Sequence, residues 1–406
     1  MQVRAITGFI DPGWPIAPDR IQVLTTAMKD CRTALQDTGY EVQTLRLATP
    51  PPSEMENPVP VTERSDLARQ LEAECFVHGI DYAAVGPALP EELEAFDAIP
   101  SILSATENIF TSAIIADQAS GLSLQASRAC ARAIQAISKI QSNGFANVRF
   151  AALANVPAGV PFFPAAYHRG GPPALAIAAE AADLPVHVLE TSTSLREVRQ
   201  SLIGTIETQA TTLAHNTERV IREHNIRFLG IDLSYAPYPD KERSLGTALE
   251  ALGLPSVGGV GSAAAAAFLA DCLDCADFPR VGFCGLFLPV FEDQVLAKRA
   301  AEGILNLSDL LLYSTLCGTG LDTIPLPGDA SVEALTGVLI DLGAVSLRHG
   351  KPLTARLMPI PGKSAGDEVK FNFEYFAPSR VMPLSDQGPS GLLAGPEWLD
   401  INPHRE

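Results

Sequence analysis

Short apolar runs alternate along the chain with longer amphipathic or alanine-rich stretches, the grammar of an α/β protein. Strands are predicted at 3–9, 42–48, 82–87, 148–155, 185–191, 227–234, 281–290, 309–317, 351–360 and 369–376. Several are apolar on both faces, as buried parallel strands are. Helices are expected at 18–38, 62–77, 119–142, 172–182, 194–224, 241–252, 261–275, 292–304 and 331–348, with Gly39, Gly144 and Gly350 as C-terminal stops. Ser194-Leu-Arg-Glu197 has the spacing of a capping box, which fixes the start of the helix from 194. The Thr/Gln/Glu-rich middle of that helix predicts packing across the outside of a sheet. The proline-rich stretch from Thr49 to Pro60 reads as a surface loop, because the same alternation continues on both sides of it. Residues 1–384 are therefore expected to form one large domain and 385–406 a Gly/Pro/Ser-rich tail. Trp398 in the tail is an anchor for the body or for a second subunit of a homodimer.

Composition narrows the function classes. With 47% hydrophobic and 19% charged residues the chain can bury a large core. A formal net charge of −18 repels polyphosphate backbones and anionic lipid, so neither nucleic acid nor membrane is an expected partner and a small-molecule ligand is. Seven cysteines spread over 406 residues are not the dense, even pattern of a disulfide scaffold and fit a reducing, cytoplasmic setting. The N-terminus reads as a first strand halted by Asp11-Pro-Gly13, not a signal peptide. The longest apolar stretch, from Val257 to Ala270, is too short to span a bilayer.

From about residue 228 onward, predicted strand ends are rich in Gly, Pro and acidic residues, as ligand-binding loops of α/β folds are. Cys317 is read as the end of an apolar strand followed by Gly318 and Gly320, whose N–H groups can lower a thiol pKa or cradle an oxyanion. The alternative is a packed, buried cysteine. Carboxylates at Glu107, Asp232, Glu292, Asp293, Asp322 and Asp329 are candidates for acid–base chemistry or for ligating Mg²⁺ or Ca²⁺, the metal set being Asp232, Glu292 and Asp293. Against this, Asp329, Glu292 and Asp293 stand at predicted helix starts, where caps and dipole partners belong. Arg356 and Lys363 are set to clamp a carboxylate or phosphate, or to pair with nearby acids. Cys272-Leu-Asp-Cys275 lacks a second pair for zinc, and Gly258-Gly-Val-Gly261 supports an anionic group at a helix start and no more.

Three stretches carry a resemblance: Gly230-Ile-Asp-Leu-Ser-Tyr-Ala-Pro237, the run from Leu311 to Asp329, and Thr354-Ala-Arg-Leu-Met-Pro-Ile-Pro-Gly-Lys363. They resemble the hallmark segments of the bacterial and archaeal domain-of-unknown-function family numbered 711. The resemblance implies a ten-stranded α/β barrel of two five-stranded parallel halves, like that of pyruvate formate-lyase and other glycyl-radical enzymes. It also implies a histidine at the place of His168, which is the candidate general base. The radical loop itself is missing: Arg380-Val-Met-Pro-Leu384 contains no glycine, so no glycyl radical is expected. The leading expectation is an enzyme acting on a small carboxylate or carbonyl compound by non-radical thiol or acid–base chemistry, by acyl transfer or C–C cleavage. Cys317, His168, Asp322 and Asp232 are its catalytic candidates, with Arg356, Lys363, Glu107, Gly318 and Gly320 binding substrate. The alternatives are a divalent-metal enzyme with a structural Cys317 and a non-catalytic metabolite-binding regulator.

Overall fold

The computed structural model describes residues 1–404. The first half runs β1 (Gln2–Phe9), α1 (Pro18–Asp37), β2 (Val42–Ala48), α2 (Arg64–His78), β3 (Tyr82–Ala88), α3 (Leu93–Ser104), β4 (Ile109–Asp117), β5 (Gly121–Ser123), α4 (Leu124–Ser138) and β6 (Phe150–Ala154). Then come β7 (Ala174–Glu180), α5 (Asp183–Thr191), α6 (Leu195–His224), β8 (Arg227–Ser234), α7 (Leu245–Ala251), α8 (Ser262–Asp274), α9 (Gln294–Ala301) and α10 (Leu307–Tyr313). The chain continues with β9 (Gly320–Pro327), α11 (Val332–His349), β10 (Leu353–Ile360) and the two-residue strands β11 (Glu368–Val369), β12 (Ser379–Arg380) and β13 (Trp398–Leu399). No helix among the described residues is long and apolar enough to cross a membrane.

One large, mostly parallel sheet has the strand order β8-β7-β1-β2-β3-β4-β6-β10-β9. β1, β2, β3, β4 and β6 are mutually parallel. A parallel pair flanks them on each side, β7 running antiparallel to β1 and β10 antiparallel to β6. The expected closed ten-stranded barrel is not what the pairing shows, because among the described residues no strand stands between β8 and β9. The irregular segment 279–291 lies there: Ile231 N–H donates to Pro279 O and Tyr235 N–H to Gly285 O, while Gly318 N–H donates to Leu286 O and Val290 N–H to Asp322 O. It cannot be the regular strand predicted at 281–290. Gly282 and Cys284 have φ of 81° and 42°, and the Asp232 carboxylate takes the N–H groups of Phe283 and Cys284 at 2.7 and 2.9 Å.

The two faces of the sheet differ. Outward residues such as Leu175, Ile177 and Ala179 of β7 join the helices in the main core. The alternate residues Ala174, Ala176 and Ala178 face inward, with Ala5, Ala48, Ala84 and Ala151. Against these alanines pack Phe162, Phe163 and Tyr167 of the loop after β6, together with Phe283 and Phe287. The inner clusters contain no helical residue. Small side chains leave room there for loops, which is why the predicted alanine-rich helix 172–182 is a strand; Pro172-Pro173 also denies it a helical start.

Other expectations fail for local reasons. Segment 185–191 is helix α5, with Pro185 in the first turn where its missing N–H is not needed. Segment 309–317 contains helix α10 and a turn, because Asn306 and Asp309 form a reciprocal capping box. The helix expected from 119 starts at Leu124, capped by Ser123, and 369–376 is mostly non-strand. Ser194 caps α6, but the Glu197 carboxylate reaches past it to the N–H and hydroxyl of Thr193. The tail is tied down: Trp398 and Leu399 pair with Ser123 and Leu122 of β5.

Two glycines test this packing in opposite directions. A Cβ on Gly285 meets the Gly318 Cα at 2.6 Å, so Gly285→Ala is expected to lower stability by about 2 kcal/mol or more in urea unfolding. Gly204 lies within α6 with nothing near its missing Cβ, and Gly204→Ala is expected to raise stability by about 0.5–1 kcal/mol. Equal effects of the two would contradict the close approach at Gly285.

Candidate functional site

Two irregularities in the ladder aim charge at the inner face. Pairing of β1 with β7 steps from Val3↔Ala179 to Ala5↔Ala178, leaving Arg4 as an extra residue. Pairing of β10 with β9 steps from Ala355↔Leu321 to Leu357↔Ile324, so Asp322 and Thr323 together oppose Arg356. Bulges of this kind re-aim side chains. Thr323 has φ of 47°, a conformation that costs a β-branched residue about 1–3 kcal/mol.

The redirected residues join in a buried chain of charges. Arg4 Nη1 donates to Glu180 Oε2 at 2.7 Å and its Nη2 to Glu292 Oε2 at 3.1 Å. Arg356 Nη2 donates to Glu292 Oε1 at 2.6 Å, and its Nε to Asp322 Oδ1 at 2.5 Å. Burial pushes the Asp322 carboxyl up; Arg356 pulls it down and Glu292 pushes it up again, for a net rise above the ordinary value. Burial works against the Arg356 charge, but Asp322 and Glu292 more than reverse this and hold it as a cation.

Arg46, on β2, is different. It is 8% exposed, yet among the described residues no carboxylate pairs with it. Its Nε donates to Thr44 Oγ1 at 2.9 Å, and its guanidinium carbon lies 5.2 and 5.8 Å from the ring centres of Phe163 and Tyr82. Burial, and then the Arg4 charge, push its pKa down to about 9. Tyr82, Glu292 and Asp81 offset this only in part, and the usual close partner for a buried cation is an anion.

These groups line one cavity of about 250 Å³ on the inner face. Arg4, Arg46, Glu107, Glu292, Asp322 and Arg356 supply its charge, and Phe110, Phe162, Phe163, Phe287, Phe373 and Tyr375 its aromatic walls. Arg149 also borders it, but its guanidinium is spent on the carbonyls of Leu103, Thr106 and Ile109.

Of the residues singled out in the sequence, Glu107, Glu292, Asp322 and Arg356 meet at this cavity, Glu107 at its exposed rim. The others do not line it. Asp232 is fully buried and clamps the 282–285 turn, accepting from Ser234 Oγ as well as two backbone N–H groups; burial pushes it up to about 6 against those bonds. Asp293 caps α9 and also binds Ser244 Oγ and Gly246 N–H. With Glu292 tied to two arginines, the expected metal set does not converge, and no group of three His, Cys, Asp or Glu among the described residues could hold a metal. His168 is 4% exposed against Phe9, its Nε2 unpartnered and its charged form disfavoured by burial. Lys363 sits in an exposed turn after β10. Ser331, not Asp329, caps α11.

Cys317 follows α10 instead of ending a strand, and is 1% exposed. Burial raises its thiol pKa, more than Lys351 and the N–H groups of Gly320 and Thr319 lower it. The Gly318 N–H is already given to Leu286 O, so no free oxyanion cradle forms there. Arg4, Arg46 and Glu180 were not singled out in the sequence. Their signal is a charge inside an otherwise apolar strand, as in Val3-Arg4-Ala5-Ile6 and Leu45-Arg46-Leu47.

At neutral pH, iodoacetamide is expected to label the exposed Cys275 first and Cys317 only on unfolding. Mass-spectrometric detection of rapid Cys317 labelling in the folded protein would contradict its burial.

Residues 1–374 match the sequence profile of a family described as "Uncharacterised ACR (DUF711)". A UPF0210 protein of Pyrobaculum islandicum is 32% identical over 366 residues, covering 85% of this chain and 80% of the relative. One of Methanopyrus kandleri is 32% identical over 339 residues, covering 80% and 74%. Another, of Oenococcus oeni, is 26% identical over 396 residues, covering 92% and 86%. With the match spanning most of its length, the chain belongs to the DUF711 family of uncharacterised proteins.

Proposed function

We propose that the inner cavity binds a small metabolite through an anionic group held by Arg46, and that Asp322 performs acid–base chemistry on it. The observation that carries this reading is the Arg46 guanidinium, on a residue only 8% exposed at the cavity wall, with no carboxylate paired to it among the described residues. An anion there supplies the missing charge, and a bidentate carboxylate or phosphate matches the guanidinium fork. Asp322 borders the same cavity; its raised pKa suits a group that must both take and return a proton. Arg356, fixed between Asp322 and Glu292, orients that carboxylate. Thiol chemistry at Cys317 has less support, since that residue does not line the cavity.

The kinship to the pyruvate formate-lyase barrel is part of this proposal. Its supports are the five parallel strands, the two flanking pairs, and the bonding of segment 279–291 to both β8 and β9.

Calorimetric titration with acetate, benzoate and inorganic phosphate tests the anion site. Arg46→Met is expected to weaken binding about 10- to 100-fold, the worth of a hydrogen bond to a charged group. Its melting temperature should hold or rise, since a buried unpaired charge is removed. Unchanged affinity with a lowered melting point would make Arg46 a packing residue. Turnover of any bound carboxylate is expected to show an acid limb above the ordinary carboxylate pKa of about 4, because a base must first lose its proton and burial raises the Asp322 value. Asp322→Asn should then reduce kcat by about 100-fold or more, with a smaller change in KM.

A further inference from the structure

We propose that the occupant of this cavity is a monoanion carrying a single planar, unsaturated ring; this rests on the reading of Arg46 as the anion anchor. The surroundings of Arg46 are ring faces and edges. Its guanidinium stands over Phe163 and Tyr82, and Phe110 touches both, at 5.3 Å and 59° from Phe163 and 5.4 Å and 79° from Tyr82. A second aromatic pair, Phe162 and Phe287, lines the same cavity with centroids 4.6 Å apart. An anion seated on Arg46 therefore projects its body among aromatic rings.

Several polar groups of the wall near Arg46 are already engaged. The Thr44 hydroxyl accepts from Arg46 Nε and donates to Arg4 O. Gln43 gives its amide to Gln2 and Glu180, and Glu292 is taken by two arginines. A sugar acid can turn a hydroxyl to Tyr82, Asn108 or Tyr375, but any hydroxyl set against the rings is buried without a partner, which costs free energy. A ring placed edge-to-face or offset against Phe110 and Phe163 gains beyond the area it buries, which a saturated ring of the same size does not. The volume of about 250 Å³ falls below the range of drug-sized pockets, roughly 300–1,000 Å³, and favours one ring.

The test titrates the full chain with benzoate, cyclohexanecarboxylate, acetate and inorganic phosphate, followed by calorimetry. Benzoate is expected to bind at least about threefold more tightly than cyclohexanecarboxylate. Phe110→Leu is expected to erase that preference, weakening benzoate by at least about threefold more than cyclohexanecarboxylate. If Phe110→Leu melts far below the parent, Phe287→Leu serves in its place, and the ring preference of the unaltered chain decides by itself. Equal or reversed affinity for the two rings, or binding of phosphate alone, overturns the ring assignment. In that case, binding of acetate or phosphate that Arg46→Met abolishes leaves the anion anchor standing. Failure of all four to bind overturns both.

Discussion

The chain of charges from Glu180 through Arg4, Glu292 and Arg356 to Asp322 sets the shape of the interior. β1 and β10 are five places apart in the sheet, which at about 4.8 Å per strand would separate them by roughly 24 Å in a flat arrangement. Yet Arg4 and Arg356 hold the two oxygens of one Glu292 carboxylate. The sheet must curl around its inner face for both to reach. Each charge in the chain is buried or nearly so, and loss of one member strands its neighbours, at a typical cost of about 3–5 kcal/mol. The chain thus couples the curvature of the sheet to the placement of Asp322 in the cavity.

A protein of net charge −18 holds in its interior a cation with no carboxylate paired to it among the described residues. Its long-range field repels large polyanions, while the local field at Arg46 attracts a small one that has entered. Surface and cavity therefore act in opposite senses, and size separates them.

The strands legible in the sequence were those with two apolar faces and clear stops, among them β1, β2, β3, β8 and β10. β7 was not, because alanine serves there as a spacer on the inner face and not as a helix former. β9 was hidden by Pro325 and Pro327, which a strand at the end of the sheet path can carry, and α3 by its internal Pro100. At the site, Glu292, Asp322 and Arg356 were readable as charges in apolar or Gly/Pro settings. Arg4 is likewise a charge in an apolar strand, but the face it takes is set by a bulge, and a bulge leaves no mark in an alternating pattern. Asp232 shows the opposite limit: a carboxylate at a strand end can be consumed by backbone N–H groups and a neighbouring hydroxyl, and composition does not distinguish that from a ligand site.

The inner-face alanines have an evolutionary consequence. Ala5, Ala48, Ala84, Ala151, Ala174, Ala176 and Ala178 form a floor of minimal height beneath the loop that carries Phe162 and Phe163. Each is a place where one added methyl or methylene would lift that loop and narrow the chamber above it. Ligand choice in such a protein can drift by small volume steps in the floor, leaving the charged apparatus untouched.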